Sequence, residues 1–251
     1  MSTFKSHSLS ILTTVMNSKI FPLCENALTV ELGTTIGMEA HHRVMAFCEI
    51  LEQHKFKGLI EAVPAYTSVT IFYEPIIVLR SSALRDSTPS QWVRAYVEDL
   101  LKILSPSTKV TQRIHSIPVC YDREFGLDLD FLSTLHHISS DDIIHLHSGK
   151  EYTVYMLGFT PGFPYMGIVE DQLASPRKEN PRTIVPGGSV GIAGKQTGIY
   201  PFATPGGWQI IGRTPWKLFD PEKKSPTLLK AGDRVRFFPI TKKEFDQLNH
   251  E

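Results

Sequence analysis

Apolar positions in the N-terminal part of the chain follow two periods in turn. Ala27 to Leu32, Leu59 to Val63 and Ser68 to Tyr73 read as β-strands, with a turn at Pro64 between the last two. Met38 to Gln53 carries Val44, Phe47, Cys48 and Leu51 at helical spacing, which predicts a helix with one buried face. A second helix is expected to open at Thr88-Pro-Ser-Gln-Trp and run through Leu104. Its Thr suits the N-cap, and the fixed φ of its Pro suits the first turn. The order strand, helix, strand, strand, helix predicts a small α+β domain over residues 19–105, with helices laid on an antiparallel sheet. Ser105-Pro-Ser-Thr reads as the linker that follows it. The opening stretch, MSTFKSHSLSILTTVMN, is expected to be a frayed tail: Ser, His and Thr interrupt its apolar residues, and no small-residue cleavage pattern follows.

Beyond the linker the pattern turns to β. Short helices are expected over Asp128 to His136 and Ser140 to His147. Strands are expected over Tyr152 to Leu157, Ser189 to Ile192, Gln209 to Arg213 and Arg234 to Pro239. Between Tyr155 and Asp220 stand nineteen Gly and Pro residues, a density no helix tolerates, so this stretch must be short strands joined by shaped turns. Many short strands predict a closed or nearly closed, mainly β barrel over residues 112–245.

Charge and composition narrow the function by exclusion. Lys plus Arg and Asp plus Glu both number 26, so no net field draws nucleic acid or an anionic membrane to the chain. No stretch approaches the roughly 20 apolar residues that span a bilayer. Cys24, Cys48 and Cys120 are an odd count without CxxC spacing, which suits a reducing cytoplasm and suggests buried small hydrophobes. His145 and His147 lie two apart on a helix, facing different sides, and no metal is expected. The run VPGGSVGIAGKQTGIYP is no P-loop, and neither a GxSxG elbow nor an HExxH motif occurs.

What remains is a stretch of aromatics interleaved with polar groups. Phe159, Phe163, Tyr165, Tyr200, Phe202 and Trp208 alternate with His147, Arg182, Ser189, Gln196, Thr197 and Arg213, the make-up of a ligand pocket. Arg182 and Arg213 are the charged candidates, because a guanidinium offers a permanent planar fork to a carboxylate or phosphate.

The runs GFTPGFPYMG (158–167), PRTIVPGGSVGIAGKQTGIYPF (181–202) and PGGWQIIGRTPWKLFDP (205–221) closely resemble the signature of the family of allophanate hydrolase subunit 1, the KipI-type kinase inhibitors and the B component of bacterial 5-oxoprolinase. Weaker likeness extends upstream through DDIIHLHSGKEYTVYMLGF (141–159) and IPVCYDREFGLDL (117–129) to KIFPLCENALTVELG (19–33). The resemblance implies a cyclophilin-like barrel for the second domain. It also implies ATP-dependent opening of 5-oxoproline to glutamate, with Mg accompanying the nucleotide, in a cytoplasmic multi-subunit complex with the C and A components of the same enzyme. In that scheme Arg182 and Arg213 hold carboxylate or phosphoryl oxygens, Gln196 and Tyr200 orient the amide, and His147 shuttles a proton. Phe159, Phe163, Ser189, Thr197, Trp208 and Thr214 then line the substrate. The same motifs also fit a KipI-like inhibitor of a sensor histidine kinase, and a component of an allophanate hydrolase or urea-carboxylase type. With no self-contained nucleophile or nucleotide motif, the chain is expected to be inactive alone.

Overall fold

The computed structural model describes residues 18–81, 87–105, 108, 110 and 112–249. The expected N-terminal tail, and residues 106, 107, 109 and 111 of the expected linker region, lie outside the described residues. The chain divides into two compact units, residues 1–111 and 112–251.

In the first unit, strands β1 (Lys19–Cys24), β2 (Ala27–Glu31), β3 (Leu59–Pro64) and β4 (Ser68–Tyr73) form an antiparallel sheet in the order β1-β2-β4-β3. Pro64 closes β3 rather than standing in a separate turn. Helix α1 (Met38–Gln53) buries Val44, Phe47, Ile50 and Leu51. A short helix, α2 (Pro75–Ser81), follows β4; its apolar run Ile76–Leu79 has no period that distinguishes helix from strand. Helix α3 (Pro89–Lys102) starts with a capping box: the Thr88 hydroxyl accepts from the Gln91 N–H at 3.3 Å, and the Gln91 side chain accepts from the Thr88 N–H at 2.8 Å. Val93, Val97 and Leu101 from α3 join Val44 and Phe47 of α1 and Val30, Val69 and Ile71 of the sheet in one core.

The second unit is built on a closed seven-stranded barrel. Its strands are β5 (Ile114–Cys120), β6 (Glu151–Leu157), β7 (Pro164–Gly167), β9 (Ser189–Ala193), β10 (Gln196–Ile199), β12 (Gln209–Arg213) and β13 (Arg234–Ile240), ordered β10-β7-β6-β13-β5-β12-β9 around the ring. Closure depends on β13, which pairs parallel with β5 from Arg234↔Ile114 to Ile240↔Cys120 and antiparallel with β6. Two further strands, β8 (Arg182–Val185) and β11 (Thr204–Gly206), make a separate antiparallel pair in which Arg182 lies opposite Gly206. Helices α4 (Leu129–His136) and α5 (Ser140–Ser148) send Leu129, Leu132 and Ile143 into the barrel core beside Val119, Val154, Met166, Ile192, Ile211 and Phe237. Helix α6 (Lys242–Leu248) packs Phe245 on Phe125 with ring centroids 4.5 Å apart. Cys120 is buried and Cys48 half-buried, but Cys24 is exposed, which corrects the reading of all three as buried hydrophobes. Cys24 closes an exposed hairpin, where its thiol donates to Asn26 Oδ1 at 3.1 Å.

Among the described residues, no helix is long and apolar enough to cross a membrane, and no three His, Cys, Asp or Glu side chains gather as a metal site would require.

Candidate functional site

Arg182 opens β8, and its guanidinium turns onto Asp128, the residue just before α4. Nη1 donates to Oδ2 at 2.9 Å and Nη2 to Oδ1 at 2.8 Å, the bidentate geometry that a planar fork favours. Lys178 Nζ donates to the same Oδ1 at 3.0 Å, and the backbone N–H of Ile210 donates to Oδ2 at 2.6 Å. The Asp128 side chain is only 3% exposed, whereas Arg182 and Lys178 keep 23% and 28% exposure. Burial pushes the Asp128 carboxyl up, but the bonds from Arg182, the Ile210 N–H and Lys178 outweigh it and hold the group below its ordinary value. Although Asp128 sits where a helix cap would, its carboxylate makes no cap bond; every one of its four hydrogen bonds goes to Arg182, Lys178 or Ile210.

Beside this cluster lies a small second core of Phe163, Val185, Ala193, Tyr200, Trp208 and Ile210. Phe163 stands at its centre, edge-on to Tyr200 at 5.2 Å and to Trp208 at 5.3 Å. The expected aromatic walls are therefore packed against each other: Phe163 and Tyr200 are each 1% exposed and Trp208 5%. Phe159 differs. It is 62% exposed, touches Phe163 edge-on, and holds a left-handed φ of 65° that a bulky residue adopts only when its surroundings impose it. Aromatic core and cations meet at Tyr200. A Cβ on Gly206, opposite Arg182, would fall 2.3 Å from the Tyr200 hydroxyl, so only glycine lets the strand pair close over it. Burial raises the Tyr200 phenol, against the opposing pull of the Trp208 backbone N–H and of the charges on Arg177 and Arg182.

Arg213, Ser189 and Thr214 gather around the turn 186–188, which borders the same tyrosine through the bond from Gly188 N–H to Tyr200 O at 2.7 Å. Arg213 Nε donates to Gly187 O at 2.7 Å, and its guanidinium stands 5.9 Å from the Phe125 ring centre and 6.0 Å from that of Phe245. Thr214 N–H donates to Gly188 O, and Ser189 O accepts from the Tyr200 N–H. Both residues are 2% exposed. At Gly188 φ is 81° and a Cβ would meet Thr214 O at 2.3 Å, so this turn requires glycine twice over.

His147 and Thr197 belong to a different place, the interior of the barrel. His147 has no exposed surface; its ring stacks on Phe237 at 4.6 Å and on Tyr152 at 5.4 Å. Thr197 Oγ1 donates to Gly191 O at 3.1 Å and so accepts from His147 Nε2 at 2.9 Å, which leaves Nδ1 to accept from the Tyr121 hydroxyl at 2.9 Å. That network is complete with a neutral imidazole, and burial lowers the His147 pKa to about 3. Both ring nitrogens are occupied and the ring has no solvent contact, so the proton shuttle expected at His147 has no open nitrogen in this arrangement. Gln196 lies on β10 opposite Gly167, half-buried.

The structure thus brings together Arg182, Tyr200, Phe163 and Trp208, with Phe159 at the exposed edge and Arg213, Ser189 and Thr214 around the adjoining turn. It sets His147 and Thr197 apart from them. Asp128, Lys178 and Tyr121 are not among the residues that motif and composition single out. The one sequence signal for Asp128 is the cation-rich run PRKENPR (176–182), which needs a counter-charge from elsewhere in the chain.

Residues 18–229 match the carboxyltransferase domain family, subdomain C and D, and the chain belongs to that family. Among its relatives is the B component of 5-oxoprolinase from Bacillus subtilis, 42% identical over 233 residues that cover 93% of this chain and 97% of the relative. The corresponding 5-oxoprolinase component of Haemophilus influenzae is 38% identical over 218 residues, 87% of this chain and 96% of that one. The solved structure of TTHA0988 superposes with a TM-score of 0.71 at 37% identity, covering 85% of this chain but 40% of the longer TTHA0988 chain.

Proposed function

We propose that this chain is the B component of a 5-oxoprolinase, an ATP-dependent enzyme that opens the cyclic amide of 5-oxoproline to give glutamate, and that it works only with the partner components C and A. The observation that carries this reading is the 42% identity to the B component of a 5-oxoprolinase across 97% of that protein's length. A cyclophilin-like barrel and a cytoplasmic setting belong to the same reading. An unstrained lactam needs activation and a positioned site before water attacks it, and the cations and aromatics around Tyr200 are the groups this chain contributes.

The glycine-rich run does not fit a nucleotide cradle. Gly188 N–H is bound to Tyr200 O and Ser189 N–H to Pro186 O, so these donors face the protein rather than a phosphate chain. In this reading ATP and its Mg belong to another component of the complex. The test is glutamate release from 5-oxoproline and ATP by this chain alone, by the A and C components without it, and by all three together. Release is expected only from the full set. Turnover by the isolated chain would overturn the dependence on partners, and an inactive full set would overturn the assignment.

A further inference from the structure

The segment Pro176–Arg182, PRKENPR, carries Arg177, Lys178 and Arg182 against a single acid, Glu179. Its backbone is fixed at three places. Gln209 Nε2 donates to Pro176 O at 2.9 Å, Lys178 N–H donates to Gly207 O at 2.7 Å, and Arg182 pairs with Gly206 between β8 and β11. From this rigid base Lys178 and Arg182 converge on the one carboxylate of Asp128. One cation is enough to neutralise that carboxylate. The second leaves an excess positive charge and brings two like charges together at a partly exposed place, where water screens them and a further anion would be attracted. Among the described residues, neither cation has a second acidic partner.

Donor accounting agrees with the charge. Lys178 uses one of its three N–H donors on Asp128, and Arg182 uses two of its five, while both side chains keep partial exposure. The buried carboxylate orients both cations in advance: the charge of Arg182 acts on the Tyr200 phenol, while Lys178 Nζ stands 5.9 Å from the centre of the Phe131 ring. Preset donors with excess charge, at the edge of an aromatic core, bind a small oxyanion at little cost in ordering.

We propose that Lys178 and Arg182 form a subsite for a small oxyanion, a carboxylate or a phosphoryl group. The proposal rests on the oxoprolinase reading only for the expected occupant, the carboxylate of 5-oxoproline. Free 5-oxoproline and inorganic phosphate serve as separate probes of the full chain, with backbone amide shifts followed by NMR. Saturable shifts over residues 176–182 and 206–210 with 5-oxoproline are expected. Lys178→Gln weakens them about tenfold, the scale of one charge-assisted hydrogen bond. Lys178→Arg retains binding, and Lys195→Gln, at an exposed pair with Asp171, binds as wild type. Shifts at the same residues with phosphate alone would support the subsite with a phosphoryl occupant and remove the substrate carboxylate from it. The absence of saturable shifts there with either anion, or equal affinity in Lys178→Gln, would overturn the proposal. Neither of those results touches the assay of the three components together, so failure of the subsite and failure of the oxoprolinase reading are distinguished.

Discussion

Replacing Asp128 with Asn tests the assembly beneath the candidate site. The wild-type carboxylate takes three bonds from Arg182 and Lys178 and one from the Ile210 N–H, at 2.6 to 3.0 Å. Removing one partner of a fully buried ion pair costs about 3–5 kcal/mol. Here Arg182 and Lys178 are 23% and 28% exposed, so water recovers part of the loss, and we expect about 2–3 kcal/mol. With the urea dependence of a small domain, that moves the unfolding midpoint down by roughly 1 M or more. Tryptophan fluorescence follows the transition in the second unit, because Trp208 is 5% exposed and packs beside Ile210. The pH dependence separates charge from shape. Since the folded-state pKa of Asp128 is lowered, its contribution is complete above the unfolded carboxylate value of about 4 and is lost as pH falls through the folded value. Wild type and variant should therefore differ fully at neutral pH and converge in acid. An unchanged midpoint at pH 7, or a gap that persists undiminished to pH 2, would refute the reasoning.

Three further outcomes are expected. Gly206→Ala should destabilise the second unit by about 1–3 kcal/mol, because the new methyl meets the Tyr200 hydroxyl at 2.3 Å, and adding Tyr200→Phe should recover part of the loss in a double-mutant cycle; a neutral Gly206→Ala would contradict the contact. His147 titrates near 3 when folded against about 6.5 when unfolded, so the stability associated with it is complete above pH 6.5 and falls by about 1.4 kcal/mol per pH unit toward pH 3. His147→Phe should be less stable at pH 7 yet flatter in acid, and an acid slope equal to wild type would exclude the buried neutral ring. Limited proteolysis should cut between residues 105 and 112 and leave a fragment beginning near Gln112 that retains the fluorescence of buried Trp208; a resistant linker with cutting inside 155–220 would count against two separable units.

Much of the secondary structure was legible in the residues themselves because its causes are local. A capping box needs only positions 88 and 91, the face of α1 repeats every three or four residues, and glycine and proline mark the turns of 155–220 wherever they stand. The family motifs likewise singled out Arg182, Tyr200 and Arg213 for their chemistry. The partners of these residues were not legible, because nothing near Arg182 in sequence specifies a carboxylate 54 positions earlier, and nothing near His147 specifies a threonine 50 positions later. Asp128 read as the start of a helix; the fold aimed its carboxylate at Arg182, Lys178 and Ile210 instead. The aromatics read as the walls of a pocket, but the barrel packed Phe163, Tyr200 and Trp208 against one another and left Phe159 outside. Closure itself rests on β13 lying parallel to β5, a pairing across more than a hundred residues that no window of sequence contains. Propensity, capping and turn chemistry act between neighbours in the chain and fix the elements; burial, and with it the charge state of Asp128 and His147, is set by residues that only the closed barrel brings into contact.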